Sequence, residues 1–106
     1  MSQRIKRQAQ MLKFLSRAKP NVVKAVVNNC EKELLDAVCE CSLNVLKGTV
    51  PLKKRERKCL EKYKNHLRAL TDKGISRRKK KAVLQKGGFL QALLTPILTV
   101  LGNILT

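Results

Sequence analysis

From Phe89 onward the chain carries no charged side chain, although 24 lysines and arginines crowd the residues before it. Phe89, Leu90, Leu93, Leu94, Ile97, Leu98, Val100, Leu101, Ile104 and Leu105 make this stretch almost wholly apolar. As a helix it would span about 25 Å, at the short limit for a bilayer. Its polar residues are ordered: Gln91, Thr95, Thr99 and Asn103 recur every four and would form one narrow uncharged stripe, interrupted by Pro96 and Gly102. Surface this oily needs cover. Three fates are open: packing in a protein core or against a second copy, disturbance of a membrane, or a stable span. Length and polar stripe make a simple single-pass anchor the poorest fit.

The rest of the chain is charge-segregated. Twenty-four cations against 7 acids give +17 over 106 residues, which is one domain's worth of chain. Residues 1–30 hold no acid, residues 31–48 are net acidic, and residues 49–88 are strongly basic. A compact fold repels itself at this charge unless something negative lies close. Nucleic acid carries the densest regular negative charge, and binding it releases condensed counterions. At 43% apolar content the chain is no simple disordered tail. Aromatic residues are only 3%, which argues against single-strand binding by base stacking and leaves backbone phosphate contact.

Periodicity predicts an all-α protein: a small helical bundle with a basic arm and a C-terminal hydrophobic helix. The expected parts are a basic N-terminal arm or helix over 1–18, a small helical domain over 19–75, a basic cluster with a Gly-Gly hinge over 76–88, and a hydrophobic tail over 89–106. Ile5, Met11, Leu12 and Leu15 form a weak stripe. Pro20 ends that helix or starts the next, which would carry Val22, Val23, Val26, Val27 and Cys30. Between Glu31 and Lys47 a clear stripe of Leu34, Leu35, Val38, Cys41, Val45 and Leu46 ends at a Gly48 cap. A further stripe runs through Leu52, Cys59, Leu60, Tyr63, Leu67 and Leu70, with Gly74 as its stop. Ser76 can cap a short helix through Gln85, and Gly87-Gly88 breaks the chain. The part able to pack is then about 55 residues in three short helices, marginal alone.

The candidate polyanion contacts are Arg4, Lys6 and Arg7 in the arm, Lys53, Lys54, Arg55 and Lys58 in the basic helix, and the run Arg77, Arg78, Lys79, Lys80 and Lys81. Five consecutive cations also read as a localisation signal or a solvated face. No base-reading motif is visible, so DNA is favoured over RNA only by the overall pattern. Phe89, Leu90, Leu93, Leu94, Ile97, Leu98 and Leu101 are the candidates for membrane contact or self-association. Gly87 and Gly88 read either as a flexible hinge or as a processing site, where an extended glycine pair fits a protease cleft.

Other chemistry is absent from the pattern. Cys30, Cys39, Cys41 and Cys59 match no usual zinc spacing, and Cys39 and Cys41 would lie about 200° apart on a helix. Without a secretory signal at the start they are expected to be reduced thiols, with Cys41 and Cys59 packed in the core. His66 stands among cations and reads as a surface or rim residue. No metal, no cofactor and no enzymatic activity is expected.

The stretch ISRRKKKAVLQKGGFLQALLTPILTVLGNIL, a basic cluster followed by Gly-Gly-Phe-Leu and an apolar tail, resembles the adenovirus minor core protein, the mu precursor. It is also similar to small basic virion proteins of Polinton-type elements and adintoviruses, in which a block similar to KPNVVKAVVNNCEKELLDAVCECSLNVLKGTVPL precedes the same junction. The resemblance covers Lys19 to Leu105. It implies a virion protein, present in the host nucleus, that condenses genomic DNA and carries a hydrophobic, sometimes membrane-active tail. It further implies processing by an adenain-like protease, which prefers an aliphatic residue four before the cut and glycine two before it. This chain departs from that pattern: a cut after Gly88 puts Gln85 at the aliphatic position, and a cut after Gly87 puts Lys86 at the glycine position. It is also richer in lysine than the adenoviral peptide, and ammonium lacks the two-pronged phosphate grip of guanidinium. The expected partners are therefore DNA, with RNA as the alternative, and a capsid protein, a membrane or a second copy for the tail. Two other readings compete: a membrane-active protein whose cations meet anionic lipid, and a helical protein-interaction module.

Overall fold

A computed structural model describes residues 2–105, and side chains as far as Gly102. The described residues form eight helices and no strand. They are α1 (Gln3–Arg7), α2 (Ala9–Arg17), α3 (Pro20–Asn28), α4 (Lys32–Leu46), α5 (Lys54–Glu61), α6 (Lys64–Thr71), α7 (Arg77–Leu84) and α8 (Phe89–Leu105). The extents are 31 × 26 × 26 Å.

Local chemistry sets several boundaries. The Ser2 hydroxyl accepts from the Ile5 N–H at 3.2 Å and opens α1. Pro20 starts α3 rather than ending α2, at a position where its missing N–H costs nothing. Gly48 follows α4 with φ +77°, the left-handed conformation that favours glycine. The Lys53 N–H donates to the Glu56 carboxylate at 2.9 Å at the start of α5. Ser76 caps α7 through the Lys79 N–H at 3.2 Å.

The helix expected over Leu52 to Leu70 is two helices. The chain breaks at Lys62 and Tyr63, which swings the Tyr63 ring against Phe89, centroids 5.3 Å apart, and sends its hydroxyl to the Gly87 carbonyl at 3.1 Å. On α5 Leu60 is the residue that turns inward, and Cys59 beside it is exposed rather than in the core. Similarly α6 ends at Thr71, before Gly74, where the Asp72 carboxylate accepts the Gly74 N–H at 2.8 Å and tightens the turn.

The largest departure concerns the apolar stretch. It is no separate tail: α8 is the centre of the core. Phe89, Leu90, Leu93, Leu94, Ile97 and Leu101 are all at most 3% exposed, and Leu98 is half-buried. Helix α8 lies against α2, α5 and α4, while α6 lies between α4 and α7. Gln91, Thr95 and Thr99 face solvent, so the four-residue stripe is the outer face of a core helix. Asn103, Ile104 and Leu105 lie outside the described side chains. Pro96 sits buried within α8 and removes one backbone donor, yet the helix runs on.

The arm is likewise part of the globule. Ile5, Leu12 and Leu15 are buried, with Met11 and Phe14 outside. The packed unit is therefore nearly the whole chain, not about 55 residues. Between α4 and α6 the fully buried Ser42 hydroxyl donates to the Leu67 carbonyl at 2.8 Å, satisfying a polar group that would otherwise be costly there.

Candidate polyanion interface

The basic candidates divide into those paired with acids and those without an acidic partner. Arg4 pairs with Glu40, and Arg7 holds one Glu33 oxygen through two nitrogens, at 2.7 and 2.9 Å. The Arg7 guanidinium holds the Glu33 carboxyl below its ordinary value against the opposing pull of desolvation, with Gln8 and Arg4 adding to the lowering. These arginines of α1 thus fasten the N-terminus to α4. They form the only ion pairs among the described residues, and a phosphate would have to compete for them.

The cations of α5 and α7 have no such partner. Lys53, Lys54, Arg55 and Lys58 are exposed, and Arg57, in the same run, joins them. On α7, Arg77, Arg78 and Lys79 are exposed, and Lys80 and Lys81 are half-buried at its sides. All five stand in the first five positions of an eight-residue helix with no acid in its first turn. The helix dipole is positive there, so these cations oppose it and an anion alongside would be favoured. Lys6 is half-buried on α1.

Two depressions flank α7. One, of about 410 Å³, mixes Arg4, Lys73, Arg77 and Lys80 with Asp36 and Glu40. Cys39 also lines it; burial raises that thiol's pKa while Lys80 pulls it down. The other lies between α3 and α7 and is lined by Lys24, Asn28, Arg77, Arg78, Lys81 and Gln85, without an acid. Lys24 stands outside every basic run, and nothing in the linear pattern signals it.

The apolar candidates fill the core, except Leu98, which is half-buried at its edge. The glycine pair is a folded turn, not an extended strand. Gly88 has φ +80°, a Cβ there would meet the Tyr63 hydroxyl at 3.2 Å, and α7 and α8 bend by 87° across the pair. A protease would have to open this turn first. Among the described residues no single helix is long and apolar enough to cross a membrane, and no three His, Cys, Asp or Glu side chains converge as a metal site.

His66 is half-buried at the rim, its ring 5.6 Å from Tyr63 and 5.3 Å from Phe89 between centroids. The four thiols are free and differ sharply in exposure. Burial, with Glu40 second, pushes Cys41 from an ordinary 9.0 up to about 12. Because the folded value is raised, this group's stabilising contribution is whole below about pH 9 and is lost as pH rises toward 12. The advantage of the natural chain over Cys41→Ala in thermal melts should therefore shrink between pH 9 and pH 11. In thiol labelling at pH 8, Cys59 should react at once and Cys41 only after denaturant is added. Equal rates at the two would contradict the burial described.

No protein-family model, curated protein sequence or solved structure matches this chain.

Proposed function

We propose that the protein binds duplex DNA through phosphate contacts, without reading sequence, and so neutralises and compacts it. One observation carries this reading: a net charge of +17 whose cations on α5 and α7 have no acidic partner among the described residues. Such a surface gains free energy from any dense polyanion by counterion release. The virion role rests on the resemblance of the basic-to-apolar junction to the adenoviral and Polinton proteins. Within that role the apolar helix supplies the core that carries the cations. A membrane-active protein would have to break this core to free α8.

Fluorescence anisotropy with a labelled 20-base-pair duplex tests the reading. Affinity should fall steeply with salt, with a log–log slope of about −5 or steeper if six or more cations engage. Scrambled duplexes should bind equally. Affinity unchanged from 50 mM to 1 M salt, or a strong preference for one sequence, would overturn it.

A further inference from the structure

Resting on the duplex-DNA reading, we propose that one phosphodiester strand tracks the groove between α3 and α7, gripped by Lys24, Arg77, Arg78 and Lys81. Three features single this groove out. First, four cations from two helices line it and no carboxylate does, whereas the depression on the other flank of α7 holds Asp36 and Glu40. The helix α5 has four cations but carries Glu56 and Glu61 among them. Second, the groove is braced. The Gln85 amide donates to the Asn28 side-chain oxygen at 2.6 Å, and the Lys81 ammonium reaches the Asn28 carbonyl at 3.4 Å. These bonds tie α3 to α7 and its C-terminal turn, so the backbone of the two walls is in place before an anion binds. Third, the cations are spaced along the groove. Arg77 and Lys81 are one turn apart on α7, about 6 Å along its axis, and Lys24 stands across the groove on α3. Cations spaced along one edge with another opposite suit an extended, repeating anion better than a single compact one.

Lys24 makes the inference testable, because it lies far in sequence from the basic runs and only the fold brings it to α7. The measurement is anisotropy of the full chain on a labelled 20-base-pair DNA duplex, in a series of salt concentrations, with a duplex RNA of the same sequence alongside. The variants are Lys24→Gln and, as a charge-matched control, Lys47→Gln, an exposed lysine after α4 outside both depressions. One lost phosphate contact corresponds to about an eightfold loss of affinity at 0.1 M salt and a slope flatter by about 0.9. Lys24→Gln should show both, and Lys47→Gln should stay within twofold with its slope unchanged. Far-ultraviolet circular dichroism should be the same for all three proteins. If the two variants bind alike while the natural chain binds with a steep slope, the groove assignment is wrong and the DNA reading stands. If Lys24→Gln loses affinity for the RNA duplex only, the DNA strand is the wrong occupant. If the natural chain binds neither duplex at 50 mM salt, the DNA reading itself fails and the groove with it.

Discussion

A chain ending at Gly88 should not fold. Six large side chains of α8 are at most 3% exposed. Burying each is worth about 1.5–3 kcal/mol, so the set contributes about 9–18 kcal/mol. That matches or exceeds the total stability of about 5–15 kcal/mol usual for a domain. Removing α8 would also uncover the faces of α2, α4 and α5 that it packs against. The truncated protein should give a non-cooperative thermal melt and bind a hydrophobic dye such as ANS. A milder test is Leu93→Ala, expected to cost about 2–5 kcal/mol in urea unfolding. A sharp, cooperative melt of the truncated chain would show that α8 is dispensable. The same result governs how the apolar helix can be studied: deleting it removes the scaffold of the cations as well, so its role in binding must be probed by point substitutions.

The second large effect separates binding from folding. Replacing Arg77, Arg78, Lys79, Lys80 and Lys81 together by glutamine should lower affinity for duplex DNA by about three orders of magnitude at 0.1 M salt, and flatten the salt slope by roughly three to four. Arg77, Arg78 and Lys81, which line the groove against α3, carry most of this, and Lys79 and Lys80 add less. Stability should move the other way. Five cations at the start of α7 repel one another and oppose the helix dipole. Glutamine is also a good helix former. The Ser76 cap is untouched. The variant should melt no lower than the natural chain, and slightly higher in dilute buffer. Comparable DNA affinity for the two proteins would remove α7 from the interface. A large drop in melting temperature would show that the run is structural.

Much of the helical plan was legible from local signals. The stripe of α4 is long, capped at Gly48 and interrupted by no breaker, so its bounds fall within a residue of expectation. Ser76 before α7 is a plain capping signal. The four-residue recurrence of Gln91, Thr95 and Thr99 was legible as one polar stripe, and the fold turns that stripe to water. What failed to read out was decided by contacts distant in sequence. Lys62 and Tyr63 are no helix breakers, and the turn there is tied to Gly87 and Phe89, more than twenty residues on. Cys59 lies outside the core, and Leu46, the last residue of α4, is 40% exposed. The apolar stretch looked detached because its lack of charge contrasts with everything before it, but the surfaces that cover it are spread over α2, α4 and α5. Of the interface, the α5 and α7 runs were visible as letters. The tying-up of Arg4 and Arg7 by Glu40 and Glu33, and the arrival of Lys24 beside α7, required the folded chain.

The dimensions of the globule bear on what a coated duplex would be. Laid with its 31 Å axis along B-form DNA, one copy covers about 18 phosphates at one per 1.7 Å. It brings +17. Copies placed end to end would thus cancel the polymer's charge almost completely, and filaments without charge no longer hold one another apart. Side-by-side packing of coated duplexes would then meet little electrostatic barrier.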